Sequence, residues 1–145
     1  MTKDNTSSLN KLGQNFRELI IERCKFSGFD KYLEENPDFE FPRITEDLLK
    51  PNTQGSITIP GMFGGFTYYL KKANSKFVLY AEQSSRMDHD SNDYLYFEIT
   101  ESGSRVLESE ERETVRKKFC ELTKKAHERH LQEPETMKRK NGLEI

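Results

Sequence analysis

The sequence predicts an α+β domain: an N-terminal helix, a curved antiparallel meander sheet of four to five strands, and a C-terminal helix. Three observations lead there. Apolar residues recur every three or four positions near each end of the chain. Between Gly55 and Leu107 the repeat shortens to every second residue. The segments of that middle stretch are joined by short polar or glycine-containing turns, which connect antiparallel neighbours. One domain is expected over 1–132, followed by a polar, flexible tail over 133–145.

Leu9, Leu12, Phe16, Leu19 and Ile20 put an apolar stripe on one side of a helix from about Ser8 to Lys25, with Ser7 and Ser8 able to cap it and Ser27-Gly28 to end it. From Phe29 to Pro51 the pattern is irregular. Asp30 can start a short helix that Asn36-Pro37 stops, and Thr45 can start a turn through Leu49. Phe29, Tyr32, Leu33, Phe39, Phe41, Leu48 and Leu49 carry enough apolar area to hold this stretch against the body.

Strands are expected at Ser56–Ile59, Phe66–Leu70, Lys76–Met87, Tyr94–Thr100 and Ser104–Leu107, with turns at Lys71–Ser75 and Asp88–Asp93. Gly64-Gly65 permits a bulge or a close backbone approach. The last helix starts near Ser109, where Glu110, Glu111 and Glu113 suit the positive end of a helix dipole. It runs to about His130 on a stripe of Val115, Phe119, Leu122 and Ala126.

A chain of 145 residues buries roughly 70% of its unfolded surface on folding. Only 33% of it is hydrophobic, but 10 Phe and 6 Tyr make an aromatic core the expectation. The formal charge is -2 with the signs interspersed, which argues against a general nucleic-acid binder. Arg116, Lys117, Lys118, Lys124, Lys125 and Lys138-Arg139-Lys140 are the basic positions such a function would use, diluted by Glu121 and Glu128. No apolar run has the length of a signal peptide or a membrane span, so a cytoplasmic location without membrane contact is expected. Cys24 and Cys120 adjoin the apolar stripes of the terminal helices and read as small buried hydrophobes rather than a disulfide.

Alternation divides the strands into two faces. Phe77, Leu79, Leu95, Phe97 and Ile99 make one of them core, on which both terminal helices are expected to pack. The other face carries Tyr80, Glu82, Arg86, Tyr94, Tyr96 and Glu98, an aromatic surface set with charges. Either these residues make cross-strand pairs on a half-solvated sheet, or they form a partner-binding surface, since Tyr and Arg dominate interface hot spots.

Candidate chemistry is thin. The loop Asp88, His89, Asp90, Asn92 and Asp93 invites a calcium reading, but an EF-hand needs Gly where Asp93 stands and Glu where Ile99 stands. His127 and His130 share a helix face without a supporting ligand. Gln83-Ser84-Ser85-Arg86 lacks the turn that exposes a nucleophilic serine. Gly61-Met62-Phe63-Gly64-Gly65-Phe66 has the glycines of a phosphate loop without its lysine or helix. Glu82 and Glu98 could act as an acid/base pair only from neighbouring strands. No catalytic residue, metal or cofactor is expected.

The segment Ile59-Pro60-Gly61-Met62-Phe63-Gly64-Gly65-Phe66, with the Glu82–Arg86 strand and Phe97-Glu98-Ile99-Thr100 after it, resembles a group of uncharacterised bacterial proteins with a Pro-Gly-Met-aromatic-Gly-Gly-Phe turn. Their later strand reads Glu-Ser-x-Ser-Arg; here Gln83 replaces the first Ser. The order of helix and curved sheet also resembles the cystatin-like and nuclear-transport-factor-like folds, which include bacterial immunity proteins and small ligand-binding enzymes. The resemblance carries no functional residue across.

The functional expectation is a non-enzymatic module that binds another protein, most specifically an immunity protein neutralising a bacterial toxin, through Tyr80, Glu82, Arg86, Tyr94, Tyr96 and Glu98. The alternative is a small-molecule binder or enzyme with a pocket around Tyr68, Tyr80 and Tyr96 in a cone-shaped sheet and Glu82 as its polar group.

Overall fold

A computed structural model of the chain describes residues 5–25, 28–60, 65–83 and 94–131. Helix α1 (Asn5–Cys24) buries Leu9, Leu12, Phe16, Ile20 and Cys24, steps of three and four that keep one side against the sheet. It starts a few residues ahead of the two serines expected to cap it. Ser8 instead donates its hydroxyl to the Glu101 carboxylate at 2.6 Å, tying the helix to a sheet turn. Gly28, at φ 84, occupies the left-handed region that glycine tolerates, and its N–H bonds the Lys25 carbonyl at 3.0 Å.

Helix α2 (Phe29–Glu35) and a 3₁₀ turn over Glu46–Leu49 follow. Phe29 is fully buried and meets Phe39 and Phe41 edge-on at 5.4 and 6.1 Å, so the irregular stretch is held as its aromatic content suggests.

The sheet is a five-stranded antiparallel meander in the order β1 (Gly55–Thr58), β2 (Gly65–Ala73), β3 (Lys76–Gln83), β4 (Leu95–Thr100) and β5 (Gly103–Val106). Gly65 faces Thr58 in the register, and a Cβ there would collide with the Ile57 carbonyl oxygen, so this position needs glycine for β1 to approach. The expected turn at Lys71–Ser75 is shorter. Only Asn74 and Ser75 turn, at φ 52 and 68, between the paired Ala73 and Lys76. Two consecutive positive φ values mark the tight hairpin turn whose twist matches the strands it joins. The expected turn Asp88–Asp93 and the expected strand residues 84–87, Arg86 among them, lie outside the described residues, as do 61–64 and the tail over 133–145.

The two terminal helices take opposite sides of the sheet, which corrects the expectation that both pack on one face. With α1 lie Phe66, Tyr68, Leu70, Phe77, Leu79, Ala81, Phe97 and Ile99. Helix α3 (Ser109–Leu131) covers the other face, where Val115, Phe119 and Leu122 bury against Tyr69, Tyr96 and Leu107. Leu107, buried among these residues and bonded through its N–H to the Tyr96 carbonyl at 2.8 Å, hands the chain to that side. Tyrosine makes this possible, because its ring packs like an apolar residue while its hydroxyl seeks a polar partner. The expected α3 stripe stops at Leu122; Ala126 is exposed. Among the described residues no helix is long and apolar enough to cross a membrane.

Candidate functional site

Two rows of side chains cross the sheet beneath α3. Register aligns Thr67, Glu82 and Tyr96 in one, and Tyr69, Tyr80, Glu98 and Arg105 in the other. In the first row Glu82 accepts twice, from the Thr67 hydroxyl at 3.1 Å and the Tyr96 hydroxyl at 2.7 Å. In the second, Glu98 accepts from Arg105 Nε at 2.8 Å and holds a longer contact of 3.5 Å from the Tyr80 hydroxyl. Arg105 also forks onto Glu111 of α3 at 2.7 and 3.0 Å, so β4, β5 and the helix are clasped together.

Aromatic packing completes the layer. Phe119 sits 4.9 Å from the Tyr69 ring and 5.8 Å from that of Tyr96, and Tyr69 meets Tyr80 at 5.3 Å. Arg112 lies over the Tyr96 ring at 5.1 Å and donates to the Tyr94 carbonyl at 2.9 Å. Burial raises the phenol pKa of Tyr69, Tyr80 and Tyr96. Neighbouring Tyr80 adds to the effect at Tyr69, Glu98 at Tyr80 and the hydrogen bond to Glu82 at Tyr96.

The expected partner-binding set is thus brought together on one face, but as the seat of α3. Tyr96 is 1% exposed. Tyr80, Glu82, Tyr94 and Glu98 are half-buried beside the helix. Glu98 has Arg105 as its ion-pair partner at 2.8 Å. The pocket expected around Tyr68, Tyr80 and Tyr96 does not form, because Tyr68 points to the α1 side, 5.2 Å from Phe16, and the other two point to α3. Among the described residues no group of three or more His, Cys, Asp or Glu could hold a metal. The side chains of His127 and His130, and the loop from Asp88 to Asp93, lie outside the described residues.

A groove of about 790 Å³ opens instead where the segment from Leu48 to Thr53, the outer end of β2 and the middle of α3 meet. Lys50, Lys71, Lys72, Lys117 and Lys118 rim it, with Glu121 as its one acid, over Leu48, Leu49, Leu70 and Leu122. Lys118 reaches Glu121 at 3.3 Å and Lys50 reaches Asp47 at 3.6 Å. No described carboxylate lies within 4.0 Å of the amine of Lys71, Lys72 or Lys117. Strand β1 pairs with β2 only from Gly65 to Tyr68, so among the described residues the outer edge of β2 from Tyr69 onward, beside this groove, has no strand partner. Lys117 and Lys118 stand out in the sequence as basic helix positions, whereas Lys71 and Lys72 read there as part of a turn. Nothing local in the sequence announces that the hairpin brings them beside α3.

No family model matches the chain, and no curated protein or solved structure is significantly similar to it.

Proposed function

We propose that the protein is a non-enzymatic module that binds another protein, and that neutralising a bacterial toxin, as an immunity protein, is its specific form. The observation that carries the binding reading is the groove: five lysines crowd one apolar trough in a chain whose formal charge is -2. A concentration of one sign against the net charge steers an oppositely charged partner and selects among partners. The sheet carboxylates support a non-catalytic reading as well. Glu82 and Glu98 each accept hydrogen bonds from neighbours within the sheet, the arrangement of structural acceptors. The immunity form rests on the helix–sheet order, which resembles folds that include bacterial immunity proteins.

The test is affinity capture from the source cell, followed by co-expression. A product encoded beside this chain that co-purifies with nanomolar affinity, and whose toxicity the chain abolishes, supports the proposal. Failure to bind any such product would sink it.

A second reading, a small anionic ligand, draws on the groove's volume, which lies in the range of small-molecule sites. Thermal stabilisation by a carboxylate- or phosphate-bearing metabolite at micromolar concentration would favour it.

A further inference from the structure

Groove and strand edge together say what kind of segment the partner presents. Among the described residues the edge of β2 beyond Tyr68 lacks a strand partner, since β1 is only four residues long; Tyr69 and Leu70 are themselves buried, so the exposed stretch of that edge is Lys71, Lys72 and Ala73. An unpaired edge is a template for another strand. Lysines on it are a known defence, since two copies of a lysine-bearing edge repel. Here Lys71 and Lys72 are on the edge itself, and Lys117 and Lys118 face it from α3. The arrangement disfavours a basic strand and favours an acidic one.

The floor narrows the partner further. Its part-exposed aliphatic residues are Leu48 and Leu49, beside the buried Leu70 and Leu122, and the aromatic lining residue Tyr69 is 7% exposed under Phe119. Single-stranded nucleic acid needs exposed rings for its bases to stack on, and this groove offers none among the described residues. Among the described residues the lining holds lysines and no arginine, so it meets anions as point charges. Along α3 the groove runs from Thr114 to Leu122, about 12 Å of helix at ~1.5 Å per residue. That length accommodates about four extended residues.

We infer that the groove takes an extended acidic segment of a protein partner, added as a strand to the edge of β2 at Lys71, Lys72 and Ala73. Its acidic side chains meet the lysine rim and its alternate, aliphatic side chains rest on Leu48 and Leu49. This inference rests on the protein-binding reading above and specifies the chemistry of the partner.

The test uses the full chain and a capped peptide of about ten alternating Glu and Val residues, a period-two pattern that puts carboxylates on one side. Three comparisons accompany it: the same peptide N-methylated at alternate backbone positions, the variant Lys71→Glu/Lys117→Glu, and the variant Lys124→Glu/Lys125→Glu, whose exposed lysines lie on α3 beyond the groove. The groove variant is expected to weaken peptide binding at least about tenfold, a modest effect for two reversed charges at an interface. The Lys124/Lys125 variant should change it much less, and N-methylation should abolish it. Circular dichroism confirms that each variant folds.

Equal loss in both variants would reduce the effect to general charge attraction and overturn the inference. So would full binding of the N-methylated peptide, or tighter binding of a uridine oligomer of the same length at the same salt. A natural protein partner that ignores the groove variant overturns the inference while leaving the binding reading standing. Peptide binding without any natural protein partner does the reverse.

Discussion

The hydroxyl of Tyr96 donates to Glu82 Oε2 at 2.7 Å across the β3–β4 pair, beneath a helix that leaves Tyr96 1% exposed. A carboxylate and a tyrosine that look like surface groups in the sequence are thereby an internal pair. Replacing Tyr96 by Phe keeps the ring and removes the donor. A hydrogen bond to a charged acceptor is worth about 1.5–3 kcal/mol, so Tyr96→Phe should lower the unfolding free energy by about that much in urea denaturation. An unchanged midpoint would remove the pair from the list of stabilising contacts.

Helix α3 is held by few large side chains, with Phe119 in the centre between Tyr69 and Tyr96. Phe119→Ala should cost about 3–5 kcal/mol, the usual range for deleting a buried ring. Ala126→Ser, at an exposed site on the same helix, should stay within about 0.5 kcal/mol. Equal effects at the two sites would mean that α3 does not dock through Phe119.

The tyrosines give the fold an alkaline limit. Burial raises the pKa of Tyr68, Tyr69, Tyr80 and Tyr96 above the usual 10.0. The folded state therefore keeps protons that the unfolded chain releases, and the associated stability is full below pH 10 and falls as pH rises beyond it. Absorbance at the phenolate band should show the buried Tyr68, Tyr69 and Tyr96 ionising only together with unfolding. Smooth ionisation at pH 10 with the far-ultraviolet signal intact would contradict their burial.

Both cysteines read as buried in the sequence, and the structure corrects this for Cys120. Cys24 is buried and its thiol is pushed up to about 11 by burial, against the opposing charge of Arg23, whereas Cys120 is exposed. Neither forms a disulfide, and their helices lie on opposite faces of the sheet. At pH 8 a thiol reagent should label Cys120 and reach Cys24 only when the protein unfolds, since the thiolate is the reactive form. Rapid labelling of both in native buffer would contradict this arrangement.

The element order, both terminal helices and the meander were legible because each period runs long enough to declare itself, as Leu9 to Ile20 and Phe77 to Ala81 do. The side of the sheet taken by α3 was not. Tyr69, Tyr80 and Tyr96 alternate with Leu70, Leu79 and Phe97, so neither face is plainly polar, and tyrosine serves buried and exposed faces alike. The length of β2 was hidden for a related reason. Lys71 and Lys72 lie on an exposed strand end, where no core imposes an apolar residue, and the turn signal at Asn74-Ser75 spread backwards over them. The groove follows from both, and so could be seen only once α3 was placed.

Where a protein partner docks is the central question, and capture of the natural partner by three forms of the chain answers it most directly. The forms are the wild type, Lys71→Glu/Lys117→Glu, and Tyr80→Phe, which alters the sheet face beside α3 and leaves its ring packing in place. The account predicts that the partner is retained by the wild type and by Tyr80→Phe and is lost by the lysine variant. Retention by the lysine variant with loss on Tyr80→Phe would return the binding surface to the aromatic face of the sheet and contradict the account.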